Sequence, residues 1–161
     1  MKNKILFYSI LFIIGLVLQF GWSQYFSMWG LSPNIVLIFV VFSALTDGPL
    51  VGQWMGFFWG ISWDAMSVSM FGSRAFTLTV IGYLAGMLSR KLDEGKASSQ
   101  GLTVFIASLF YTLLLWAVFG VFGPDQIPLR PNYITVLQPF YNVLLAPLVF
   151  AIGRMLIRQQ D

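Results

Sequence analysis

Cysteine and histidine are both missing from these 161 residues. Without thiols the chain has no disulfide, no thiolate nucleophile and no cysteine-held metal. Without imidazole it has no histidine acid–base chemistry and none of the usual zinc sites. Charge is scarce as well, at 9% of residues, where ordinary soluble domains carry about 25%. What fills the chain instead is apolar: 58% hydrophobic, 17% aromatic, with a mean hydropathy of +0.80. No soluble core built from a chain of this length absorbs that much apolar surface. The composition describes a compact polytopic membrane protein, a single integral membrane domain over residues 1–161 with almost no mass outside the bilayer.

The net charge of +3 and the isoelectric point near 9.4 do not point to nucleic acid. The basic residues are scattered at segment ends, and no basic patch is interleaved with aromatics on a soluble face. Their placement is topological. The first apolar run follows Lys2 and Lys4 like a signal peptide, but it ends on Gln19, Phe20, Gly21 and Trp22 with no small-residue cleavage site. It reads as a retained transmembrane helix.

Six apolar segments follow one another, at 5–22, 34–46, 49–64, 75–90, 102–122 and 134–157. The second and third are short, because a crossing takes about 20 residues. The distribution of Lys and Arg decides whether they form a hairpin or one kinked crossing. A hairpin makes six crossings with both termini cytoplasmic. Lys2, Lys4, Arg90, Lys91, Lys96, Arg154 and Arg158 then lie inside, and only Arg74 and Arg130 outside. A single crossing would put the basic loop 90–96 outside, so the hairpin is the better reading. Its turn, Thr46-Asp47-Gly48-Pro49, has its own chemistry: Asp47 is expected to cap the following helix, with Pro49 in that helix's first turn. Pro33-Asn34 opens the second helix in the same way. The outer loop 23–33 and its flank (Trp22, Tyr25, Phe26, Trp29) suit an interfacial aromatic belt, the loop 91–101 is the most polar stretch and reads as a flexible tip, and the proline-rich loop 123–133 reads as rigid.

Along the third segment glycine recurs every fourth residue, at Gly48, Gly52, Gly56 and Gly60, and the next step is Asp64. Small residues at this spacing let a neighbouring helix approach backbone to backbone in a membrane. Four residues turn a helix by about 400°, so the stripe drifts about 40° per step. The drift favours a right-handed crossing or two partners sharing the ladder over one straight parallel seam. Two readings stand: packing against the second or fourth helix, or reception of a helix from another protein. Gly82 and Gly86 give the fourth helix a matching small face and favour the first.

A carboxylate within a membrane segment is costly and marks a functional or pairing site. The topology places Asp64 and Arg74 at the outer ends of adjacent helices, where an ion pair or shared hydrogen bonds clamp the short loop between them. A proton or substrate relay needs more intramembrane charge than the chain has. Gln138 and Asn142, four apart, share one face of the sixth helix. They serve helix-to-helix bonding, the lining of an internal cavity or a partner contact. No Gly-rich loop ends in GK[ST], and Ser67 and Ser69 have no histidine to activate them. The residues propose no catalytic group, no metal ligand and no cofactor, and no enzyme.

From Gly56 to Leu84 the chain resembles the signature of the rod shape-determining MreD family: a glycine-rich helix, an Asp, a Ser-containing loop, a Gly, an Ala-led helix and a Tyr-Leu pair. Here these are Gly56, Gly60, Asp64, Ser67, Ser69, Gly72, Arg74, Ala75, Tyr83 and Leu84. Pro33-Asn34, the six-span pattern and Arg130-Pro131 before the last helix match as well. The resemblance implies an all-α inner-membrane protein of the bacterial cell-elongation machinery, with a fold like the S-component of energy-coupling-factor vitamin transporters. It implies a scaffold that binds MreC and, directly or indirectly, the MreB filament and the RodA–transpeptidase wall synthase. Gly56, Gly60, Asp64, Gly72, Arg74, Pro33 and Asn34 are then fold or partner determinants. The shared fold makes a vitamin-binding S-component the runner-up. Such proteins present an Ala-x-x-x-Ala motif on the first helix, and 5–22 contains no alanine. A small channel or exporter would need polar pore-lining rows, which the uncharged fifth segment does not offer.

Overall fold

The computed structural model describes residues 2–25, 33–67, 70–89, 97–123 and 133–158. They form six helices: α1 (Lys2–Tyr25), α2 (Ile35–Asp47), α3 (Pro49–Ala65), α4 (Ser73–Leu88), α5 (Ala97–Phe122) and α6 (Tyr133–Arg158). Among the described residues every regular element is a helix. Among the described residues two stretches, Ser98–Phe122 and Val136–Met155, are long and apolar enough to cross a membrane; Tyr8–Gln19 within α1, Ile35–Asp47 and Ser73–Leu88 are shorter apolar stretches.

The element bounds differ from the sequence reading mainly at α5. The polar run Ala97–Gly101, expected in a flexible loop, is the first turn and more of that helix. Ala, Ser and Gln are all compatible with a helix start, and Gln100 and Gly101 are buried against the bundle. The rest of that loop, and most of the belt and proline-rich loops with Arg130-Pro131, lie outside the described residues.

α2 is the centre of the molecule. Its sequence IVLIFVVFSALTD is apolar on every face, the pattern of a helix with neighbours all round. Every residue from Ile35 to Leu45 is buried. With 13 residues it is about 20 Å long. Around it pack Trp59 of α3, Leu78 and Ile81 of α4, Val104 of α5 and Phe150 of α6. Phe39 lies against the Trp59 ring with centroids 5.7 Å apart, and Phe42 meets Phe150 edge-on at 5.3 Å. Gly153 makes room for that second pair, since a Cβ there would lie 2.4 Å from the Phe42 ring. Hydroxyls inside these apolar helices bond back one turn, as Ser43 does to the carbonyl of Phe39 at 2.9 Å and Thr77 to that of Ser73 at 2.8 Å.

α3 and α4 run antiparallel along the glycine ladder. Going down α3, Pro49 faces Gly86, Gly52 faces Gly82, Gly56 faces Leu78 and Gly60 faces Ala75. A Cβ at Gly56 would sit 2.2 Å from the carbonyl oxygen of Leu78, and one at Gly60 2.3 Å from the Cα of Ala75. At Gly52 the drift of the stripe is visible: a Cβ there would meet both Ala44 of α2, at 2.4 Å, and Gly82 of α4, at 2.5 Å. The backbones themselves are in contact, so the ladder from Gly52 to Gly60 is filled by helices of this chain.

Gly48 is not a rung. It is the single residue between α2 and α3, at φ 92°, and a Cβ on it would meet nothing. The positive φ, not packing, calls for glycine there. Asp47 also differs from expectation. It does not cap α3, whose cap is Gly48 with no side-chain hydrogen bond. Asp47 ends α2, and its carboxylate accepts the hydroxyl hydrogen of Tyr8 from α1. A tight one-residue turn leaves the carboxylate pointing across to α1 rather than back over α3. Pro49 does occupy the first turn.

Candidate functional site: a polar belt joining six helices

A helix leaves its first N–H groups without intrahelical partners, and in an apolar setting each must find one inside the protein. Both α2 and α4 begin within the bundle, and their starts organise the polar chemistry of the molecule.

At α2, side-chain oxygens from two other helices and from the cap residue Asn34 serve the four donors from Asn34 to Leu37. The N–H of Asn34 donates to Oδ1 of Asn142 on α6 at 2.8 Å. Those of Ile35 and Val36 donate to Oε1 of Gln19 on α1, at 3.0 and 3.4 Å. That of Leu37 donates to Oδ1 of Asn34 at 2.9 Å, the N-cap bond that the Pro33-Asn34 pair suggests. Gln19 Nε2 also donates to the carbonyl of Pro33 at 3.5 Å, and Asn142 Nδ2 to Oγ of Ser108 on α5 at 3.0 Å. Gln19, Asn34 and Asn142 are all buried.

At α4 the cap position is Gly72, in the left-handed conformation at φ 91° and without a side chain to offer. Asp64, from the last turn of α3, takes its place. Its carboxylate accepts from the N–H of Arg74 at 3.1 Å and of Ala75 at 3.0 Å. The Arg74 guanidinium lies 3.4 Å from the same carboxylate, donates to Ser67 Oγ at 2.7 Å and stacks over the Trp63 ring at 5.3 Å. A carboxylate at a helix N-terminus also faces the positive end of that helix's dipole. Asp64 therefore has an ionic partner, two backbone donors and the dipole, which together offset the cost of burying it.

Tyr111, buried on α5, lies close enough to Asn34, Arg74 and Asp64 for all three to act on its hydroxyl, which places it beside both clusters. Gln19, Asn34, Asp64, Arg74, Ser108 with Tyr111, and Asn142 thus make one belt to which each of the six helices contributes. A second clasp holds α1 to α3 away from this belt, where the Trp59 indole donates to the carbonyl of Phe12 at 3.1 Å.

Of the residues singled out in the sequence, the structure brings Asn34, Asp64, Arg74 and Asn142 together, with Pro33 beside Gln19. Gly72 is the turn glycine before α4. Gly52, Gly56, Gly60, Gly82 and Gly86 line the α3–α4 seam. Gln138 sits half-buried one turn before Asn142. Sequence reading missed Gln19, Ser108 and Tyr111. For Gln19 a signal was present: a lone amide inside an apolar run, which within a membrane marks an interhelical hydrogen bond. Ser108 and Tyr111 carry no comparable signal, since Ser and Tyr are common on such helices.

Chemically the belt is a set of mutually satisfied donors and acceptors. It ties together the six helices. A family model described as rod shape-determining protein MreD matches residues 1–158, nearly the whole chain. The chain belongs to the MreD family. No curated protein and no solved structure matches it. Members of the MreD family are membrane proteins of the shape-determining system that includes MreB and MreC, structural in role and not known as enzymes. This MreD-family chain is therefore involved in rod-shape determination.

Proposed function

We propose that this protein is a non-enzymatic scaffold of the cell-elongation machinery that crosses the cytoplasmic membrane six times with both termini inside. It binds MreC through a transmembrane contact and so helps couple the MreB filament to peptidoglycan synthesis by the RodA–transpeptidase complex. The observation that carries this reading is the inverted layout of the bundle. Asp64, Arg74, Gln19, Asn34 and Asn142 are enclosed in the belt, while α3, α5 and α6 turn large apolar side chains outward, with Leu50, Trp54, Leu113 and Leu144 all exposed. Such a body is rigid inside and offers only apolar helix faces to lipid or to a partner's helix.

The glycine seam is occupied by α4, so a partner docks on another face. Bulky changes in the ladder therefore test folding, and the docking test uses the unaltered chain. Co-expressed with MreC and extracted from membranes in mild detergent, the protein is expected to elute with MreC as one species. A chain that elutes monodisperse and folded, yet without MreC, would overturn the scaffold reading. Stoichiometric retention of a vitamin by that same partner-free protein would replace it with the S-component one.

A further inference from the structure

We draw no further inference here: the strongest candidate, the apolar groove between α4 and α5 floored by Ala85, Thr103 and Ala107, is an unpartnered apolar face, and nothing in the structure shows what covers it.

Discussion

Asp64 Oδ2 accepts a hydrogen bond from the backbone N–H of Ala75 at 3.0 Å, so the residue that closes one helix caps the next. The two helices concerned are the pair joined along the glycine seam, and the bond fixes their adjacent ends just beyond its last rung, Gly60 against Ala75. Seam and clasp hold the same pair by different means, one by backbone contact and the other by charge and hydrogen bonds.

Replacing Asp64 separates those contributions. Asp64→Ala removes the acceptor for two backbone donors and leaves the Arg74 guanidinium without its carboxylate. Breaking a buried pair by removing one partner costs about 3–5 kcal/mol. Asp64→Asn keeps one oxygen for the N–H groups of Arg74 and Ala75 and loses the charge together with the acceptor oxygen that faces the Arg74 guanidinium, so it is expected to lie between wild type and Asp64→Ala. Thermal unfolding in detergent gives the ranking. Equal destabilisation by Asn and Ala would mean that the charge, not the cap, matters.

Along the seam, alanine is the informative substitution. Gly56→Ala puts a methyl group 2.2 Å from a backbone oxygen of α4, which no side-chain rotation can relieve. Forcing extra atoms into a packed contact costs about 1–3 kcal/mol and here spreads two helices. Gly21→Ala on α1 meets nothing within 4 Å and should be neutral or slightly stabilising, since alanine favours the helix by up to about 1 kcal/mol. Gly48→Ala should also destabilise, although a Cβ there has open space, because the cost lies in the positive φ of 92°. The three variants, compared in one detergent, distinguish close packing from backbone conformation.

These contrasts show what the sequence could and could not express. The count of helices, the turn at Gly48-Pro49 and the start of α2 at Asn34 were legible because hydrophobic runs and turn residues act locally. The seam was legible as a small-residue stripe, and Gly82 and Gly86 favoured a partner within the chain; the choice between α2 and α4 was not legible, since Gly52 serves both and only the three-dimensional arrangement decides. Asp47 misled because a carboxylate before a helix ordinarily caps it, and nothing nearby in sequence announces Tyr8 as the competing donor. The belt was the least legible part. Gln19, Ser108 and Asn142 lie far apart in the chain, and each carries one polar group in an apolar helix. Their convergence follows from α2 being short enough to start inside the bundle, where its N–H groups need acceptors.

That dependence makes α1 essential to α2. Gln19→Leu preserves apolar volume but strands the N–H groups of Ile35 and Val36, each buried donor costing about 1–3 kcal/mol. Asn142→Leu strands the N–H of Asn34 and the hydroxyl of Ser108. Both variants are expected to lower the unfolding temperature, and Gln19→Leu should also raise hydrogen–deuterium exchange at Ile35 and Val36. Unchanged exchange there would show that α1 does not supply the acceptor.

The natural absence of cysteine allows the six-crossing topology to be tested directly, because any thiol introduced is unique. The decisive pair is Asn3→Cys, near the start of α1, and Ser98→Cys, in the first turn of α5. With α2 and α3 as separate crossings, four crossings divide these sites and both face the cytoplasm. With residues 34–64 as one kinked crossing, three divide them and they face opposite sides. Phe122→Cys, at the other end of α5, supplies the outside reference and is exposed. In intact spheroplasts, a membrane-impermeant maleimide should label Phe122→Cys alone, and Asn3→Cys and Ser98→Cys should react only after permeabilisation. Labelling of Asn3→Cys and Ser98→Cys from opposite faces would remove the hairpin crossing, and with it the assignment of both termini to the cytoplasm.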